Sequence, residues 1–96
     1  MNAKIKTSVF DAADHLDDAD AIAIYLEDAF ATDDPAYITH ALGTVARAKG
    51  MTDIARKTGL SRESLYKALS AEGNPELATI LKVMSALDLK IGVRAG

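Results

Sequence analysis

Between positions 61 and 67 the chain carries Ser61, Arg62, Glu63, Ser64, Tyr66 and Lys67 around a single aliphatic residue, Leu65. On a helix that spacing turns Leu65 inward and leaves Arg62, Glu63, Ser64 and Lys67 outside, with Tyr66 at the margin of the same face. These groups suit a DNA duplex: Arg grips guanine with two hydrogen bonds, Ser donates or accepts, and Lys holds a phosphate or a guanine. Ser61 is placed to cap the helix and shares the candidate set. Thr52, upstream, is a candidate phosphate contact through its hydroxyl and the amides beside it. Asn74, downstream, either does the same or simply caps a helix. The plainer reading of the segment is a structural hairpin with a solvated face. A glycine turn, a small residue and a polar outer face coincide here, and that favours DNA recognition.

No other residues assemble into a chemical site. His15 and His40 fall in separate segments without the spacing of paired metal ligands. Asp14, Asp17, Asp18 and Asp20 lack the central Gly and closing Glu of a calcium loop, so capping and a solvated acidic face account for them. With no Cys, thiol catalysis, thiolate metal sites and disulfides are excluded. No nucleophile and base, phosphate loop or ligand set can be assembled, so neither an enzyme nor a cofactor is expected. Tyr25, Phe30 and Tyr37 read as core or interface anchors.

The elements that must position the polar face are legible from periodicity. Two short helical patterns, Thr52 to Thr58 and Ser61 to Leu69, are separated only by Gly59-Leu60, so the two helices must cross steeply. Ala55 is small where they meet, Gly59 accepts the positive φ of a tight turn, and Ile54, Leu60 and Leu65 form the shared apolar corner. Upstream, Ile22, Leu26, Ala29 and Phe30 recur at helical spacing from about Asp18. Asp34-Pro35 starts a second helix, with Ile38, Ala41, Leu42 and Val45 as its buried stripe and Arg47, Lys49 and Gly50 as its end. Asn74-Pro75 repeats that start, and Leu77, Ile80, Leu81, Met84 and Leu87 are expected along the buried face of the following helix. The two ends change period. Ile5, Thr7 and Val9 alternate with Lys4, Lys6 and Ser8, and Leu89, Ile91 and Val93 with Lys90, Gly92 and Arg94.

A single domain over 1–96 follows: an extended arm over 1–10, helices within 11–50 including one turn over Asp11 to Leu16, the helix-turn-helix over 51–70, a helix over 74–88 and a short strand over 89–94. The fold class is all-α. The terminal strand needs a partner, either residues 5–9 of its own chain or the tail of a second copy, and the second option makes a homodimer. The net charge of −3 hides an asymmetry: residues 1–50 hold four Lys/Arg against nine Asp/Glu, and residues 51–96 hold seven against five. The basic surplus therefore lies on the half with the polar helix, and the acidic half is free to meet something basic. No apolar run is long enough to span a membrane, and a cytoplasmic protein is expected.

The run from Gly50 to Leu69, with Gly59-Leu60-Ser61-Arg62-Glu63-Ser64-Leu65-Tyr66 as its most specific part, resembles the addiction-module antidote proteins of HigA type, within the phage-repressor-like (XRE) helix-turn-helix class. Glu72-Gly73-Asn74-Pro75-Glu76-Leu77-Ala78-Thr79 continues the likeness, and Phe10 to Ala13, Leu16 to Asp18, Tyr25-Leu26 and Ala41 to Gly43 extend it more weakly upstream. The resemblance implies a lambda-repressor-like domain of five to six helices. It also implies an antitoxin that neutralises a RelE/ParE-type (HigB-like) ribonuclease toxin and represses its own operon on double-stranded operator DNA. The DNA-binding positions carry over with the motif; no short motif marks toxin contacts. Either the acidic surface from Asp11 to Asp34 or the arm Lys4 to Val9 is available for them. A free-standing regulator without a toxin and a protein-interaction adaptor are the rival readings.

Overall fold

The computed structural model describes residues 18–70 and 72–96. Five helices lie among them: α1 (Ala19–Phe30), α2 (Pro35–Lys49), α3 (Met51–Thr58), α4 (Arg62–Ala68) and α5 (Leu77–Ala86). The arm read over 1–10 and the turn over Asp11 to Leu16 fall outside the described residues.

Local chemistry explains most of the helix ends. The Asp18 carboxylate accepts from the Ala21 amide at 2.7 Å, and Asp34 accepts from the amides of Ala36 and Tyr37 at 3.1 and 3.4 Å, with Pro35 opening α2. Between α1 and α2, Thr32 Oγ1 donates to the Ala29 carbonyl and accepts from the Asp34 amide, which closes the turn. Gly50 ends α2 and begins α3 in one residue at φ +106°, a conformation that L side chains rarely adopt.

Ile22, Leu26 and Ala29 of α1 meet Ala41, Leu42, Val45 and Ala46 of α2 in one core with Met51, Ile54, Ala55, Leu65, Leu69, Val83, Met84 and Leu87. α1 packs on α2, α2 on α3, and α3 on both α4 and α5. Thr44 is buried within α2, and its hydroxyl is fully used: it donates to the His40 carbonyl at 3.1 Å and accepts from Arg47 Nη2 at 3.3 Å. Gly43 is required by a close approach. A Cβ there would lie 2.6 Å from the Leu69 carbonyl oxygen, so the end of α4 rests almost directly on the α2 backbone.

Three expectations are corrected. The last helix starts at Leu77, not at Asn74-Pro75; Glu76 is its extended N-cap residue, and no side chain caps the helix. Within α5, Val83 is fully buried, whereas Leu77 and Leu81 are exposed. Apolar residues occupy more than half the circumference of this helix, so periodicity alone could not tell which arc α3 would cover. Finally, residues 89–96 form no strand: they carry no regular secondary structure, and no second strand lies beside them among the described residues. Tyr25 and Phe30 pack against the core as expected, and Tyr37 stands exposed on the first turn of α2.

Candidate nucleic-acid interface

The corner between α3 and α4 is built by three adjoining devices. Gly59 caps α3 in the left-handed region at φ +77°, its amide donating to the Ala55 carbonyl at 2.9 Å. Thr58 Oγ1 donates to the same carbonyl and accepts from the Leu60 amide, which holds the chain as it leaves the turn. Ser61 then starts α4, its hydroxyl accepting from the Ser64 amide at 3.0 Å. Ile54, Ala55 and Leu65 are buried at the crossing, and Leu60 is half-buried beside them.

Leu65 is 0% exposed and is the inward anchor of α4. Arg62, Glu63, Ser64, Tyr66 and Lys67 are all exposed. Each helical residue turns the side chain by about 100°, so Glu63 sits near the middle of the outer arc. Tyr66 and Lys67 flank it, and Arg62 and Ser64 lie at the edges. Tyr66 is thus nearer the middle of the face than its expected margin. Arg62 and Tyr66 face each other one turn apart, with the guanidinium carbon 6.0 Å from the ring centroid. That distance is the outer limit of a useful cation–π contact, so the arginine stays free to extend.

The two serines divide their work. Ser61 Oγ, besides accepting the Ser64 amide, donates to Ser64 Oγ at 2.9 Å, so the Ser61 hydroxyl is committed to the cap. Ser64 keeps its own proton for an outside acceptor. Thr52 is exposed on the first turn of α3, and Asn74 is exposed in the loop before α5. Neither side chain makes a hydrogen bond among the described residues, and Asn74 does not cap α5.

An ion cluster on α3 escaped notice in the sequence. Asp53 pairs with Arg56, and with Lys57 Nζ at 3.3 Å. The hydrogen bond from Lys57 outweighs the opposing desolvation and, with the charge of Lys57 and the hydrogen bond and charge of Arg56, holds the Asp53 carboxyl below its ordinary value. The signal was present as an acid followed three and four residues later by bases. Its consequence is that two of the seven cations in the C-terminal half are already partnered. Of the two histidines, His40 is exposed on α2 and His15 lies outside the described residues.

Residues 6–95 match the family described as probable addiction module antidote protein. The chain belongs to that family. This antidote-family chain is also 49% identical over 85 residues to an uncharacterised protein of Haemophilus influenzae strain Rd, an overlap of 88% of each chain. No solved structure matches it. Membership implies a toxin partner of some kind and a regulatory role. No helix among the described residues is long and apolar enough to cross a membrane.

Proposed function

We propose that the chain is the antitoxin of a toxin–antitoxin module. On this reading it neutralises a RelE/ParE-type ribonuclease and represses its own operon as a dimer of lambda-repressor-like, HigA-class domains in the cytoplasm. The observation that carries the DNA half is the division of α4: Leu65 wholly buried, and five exposed side chains able to meet bases and phosphates, presented by the left-handed turn at Gly59. Arg62 and Ser64 read base edges, Lys67 holds a phosphate or guanine, and Thr52 with the start of α3 fixes the backbone register. Glu63, facing the groove from the middle of the arc, accepts from cytosine and repels misplaced phosphates. Two such heads enter successive major grooves of a palindromic operator, roughly 34 Å apart.

Charge supports the toxin half. α1 exposes Asp20, Glu27 and Asp28, and Asp33 and Asp34 follow in the turn to α2. A ribonuclease must present positive charge to RNA, and an acidic face of this kind accelerates its capture. The test is co-expression with the product of the neighbouring gene. The reading expects a small basic protein to co-purify, with its toxicity suppressed, and expects the chain to protect its own promoter from nuclease. A chain that neither retains such a partner nor protects the promoter refutes the reading.

A further inference from the structure

Thr44 is a hydroxyl in a place where its helix needs none. It is buried on α2 among Ala41, Leu42, Val45 and Ala46, and valine would fill the same space with no polar atom to satisfy. A buried threonine commonly returns its proton to the carbonyl four residues back, and Thr44 does so at His40. Its oxygen does something more. It accepts from Arg47 Nη2 at 3.3 Å and so fixes the guanidinium of an otherwise exposed side chain. A Cβ placed on Gly43 would lie 3.2 Å from Arg47 Nη1 and 2.6 Å from the Leu69 carbonyl oxygen, so the guanidinium and the end of α4 meet over one point of α2.

Two simpler roles for Arg47 do not fit. A cap on the end of α4 would donate to a carbonyl there, yet the hydrogen bond Arg47 makes among the described residues goes to Thr44. Half of an ion pair would face a carboxylate, yet the ion pairs among the described residues join Arg56 and Lys57 to Asp53 and Arg94 to Glu27. What remains is a cation held in place with most of its N–H groups uncommitted. An α-helix with its side chains is about 10–12 Å across and the major groove about 12 Å wide, so a group beside a groove-bound helix meets the phosphate wall and not the base edges. Only Gly50 separates α2 from α3, so Arg47 also stands close in the chain to Thr52, the other backbone contact.

We propose that Arg47, braced by Thr44, is a phosphate clamp that grips the DNA backbone at the flank of α4 and fixes how that helix sits in the groove. A planar fork of donors matches phosphate oxygens two at a time, and the hydroxyl holds the fork ready, so less freedom is lost when DNA binds. Thr44 is the positioning residue, which is the reason for a hydroxyl in the core.

The inference rests on the reading of α4 as the duplex-facing helix, so the natural chain is the first arm of the test. Binding of promoter and scrambled duplexes is followed by fluorescence anisotropy across about 50–200 mM salt. Each variant is melted by circular dichroism, and affinities are compared below the lowest Tm. Arg47→Ala should weaken both duplexes alike, by about five- to tenfold, and flatten the logarithmic salt slope by about one per bound chain. Arg47→Lys should keep the slope, because the charge remains, and recover only part of the affinity. Thr44→Val should lose about two- to threefold at an unchanged slope, and added to Arg47→Ala it should cost nothing more. Lys82→Ala removes the same charge beside Lys57 at the other end of α3 and should change binding by less than about twofold.

Arg47→Ala binding both duplexes with the natural affinity and slope overturns the proposal. So does a loss of affinity at an unchanged slope, which would make Arg47 a support of α4 alone, or an equal loss in Lys82→Ala, which would make the effect one of net charge. A Thr44→Val penalty that persists in the Arg47→Ala background overturns the brace. A natural chain that binds neither duplex defeats the operator reading itself, whereas natural binding untouched by Arg47→Ala defeats only the clamp.

Discussion

Replacing Gly59 by Ala isolates the turn on which the α4 face depends. Gly59 sits at φ +77° and ψ 12°, and a Cβ added there would find no atom within 4 Å. Its cost is therefore that of the left-handed backbone alone, about 1–2 kcal/mol for an L residue. Alanine is also less free than glycine in the unfolded chain, which returns about 0.4–1 kcal/mol. The net loss is about 1 kcal/mol, or roughly 4–8 °C in Tm for a domain of this size. Urea denaturation followed at the helical circular dichroism band should show the midpoint falling by up to about 1 M with an unchanged slope. Gly59→Asn should lose less, because Asn tolerates this conformation, and Gly59→Val should lose more. Below its Tm, Gly59→Ala should still present α4 and keep its DNA affinity. A Gly59→Ala chain as stable as the natural one, or an Asn variant less stable than the Ala variant, would show that the left-handed turn is not what joins the two helices.

Leu65→Ala, at a side chain with no exposure, should cost about 2–5 kcal/mol in the same denaturation measurement. Gly43→Ala should destabilise by about 1–3 kcal/mol through overpacking against the Leu69 carbonyl, and by displacing the end of α4 it should also weaken promoter binding in a gel-shift titration. Asp53 titrates below its ordinary value of 3.8, so its contribution to stability is complete above that pH and fades as the pH falls through the lowered folded value. A carboxyl NMR titration of the natural chain should place its midpoint below 3.8, and in Lys57→Ala the midpoint should move back towards that value.

What the sequence disclosed, it disclosed through short-range chemistry. Asp18, Asp34-Pro35, Gly50, Gly59 and Ser61 act on backbone groups within four residues of themselves, and each does so where its residue type suggests. The division of α4 follows equally from one helical repeat around Leu65. What the sequence concealed depends on distant parts of the chain. Asn74-Pro75 has the same letters as a helix start, yet the path from α4 to α5 keeps the backbone extended through Glu76. The buried arc of α5 was decided by where α3 lies, and Gly43 gained its role from the Leu69 carbonyl, 26 positions away. Residues 89–94 carry a strand's alternation, but a strand needs another strand, and one chain's alternation does not say which. The base-facing set was legible as residue types; that Ser61 spends its hydroxyl on the cap while Ser64 keeps a free proton required coordinates.

The central claim is that the outer face of α4 reads a duplex. Its most direct test is the binding of fluorescent promoter DNA and of a scrambled duplex, titrated across 50–200 mM salt, for the natural chain, Arg62→Ala and Lys67→Ala. The account predicts that Arg62→Ala loses about 1–3 kcal/mol on the promoter and little on the scrambled duplex. If Lys67 holds a phosphate, Lys67→Ala should weaken both duplexes alike and flatten the logarithmic salt slope by about one. Promoter binding left unchanged in affinity and salt dependence by both substitutions would contradict it.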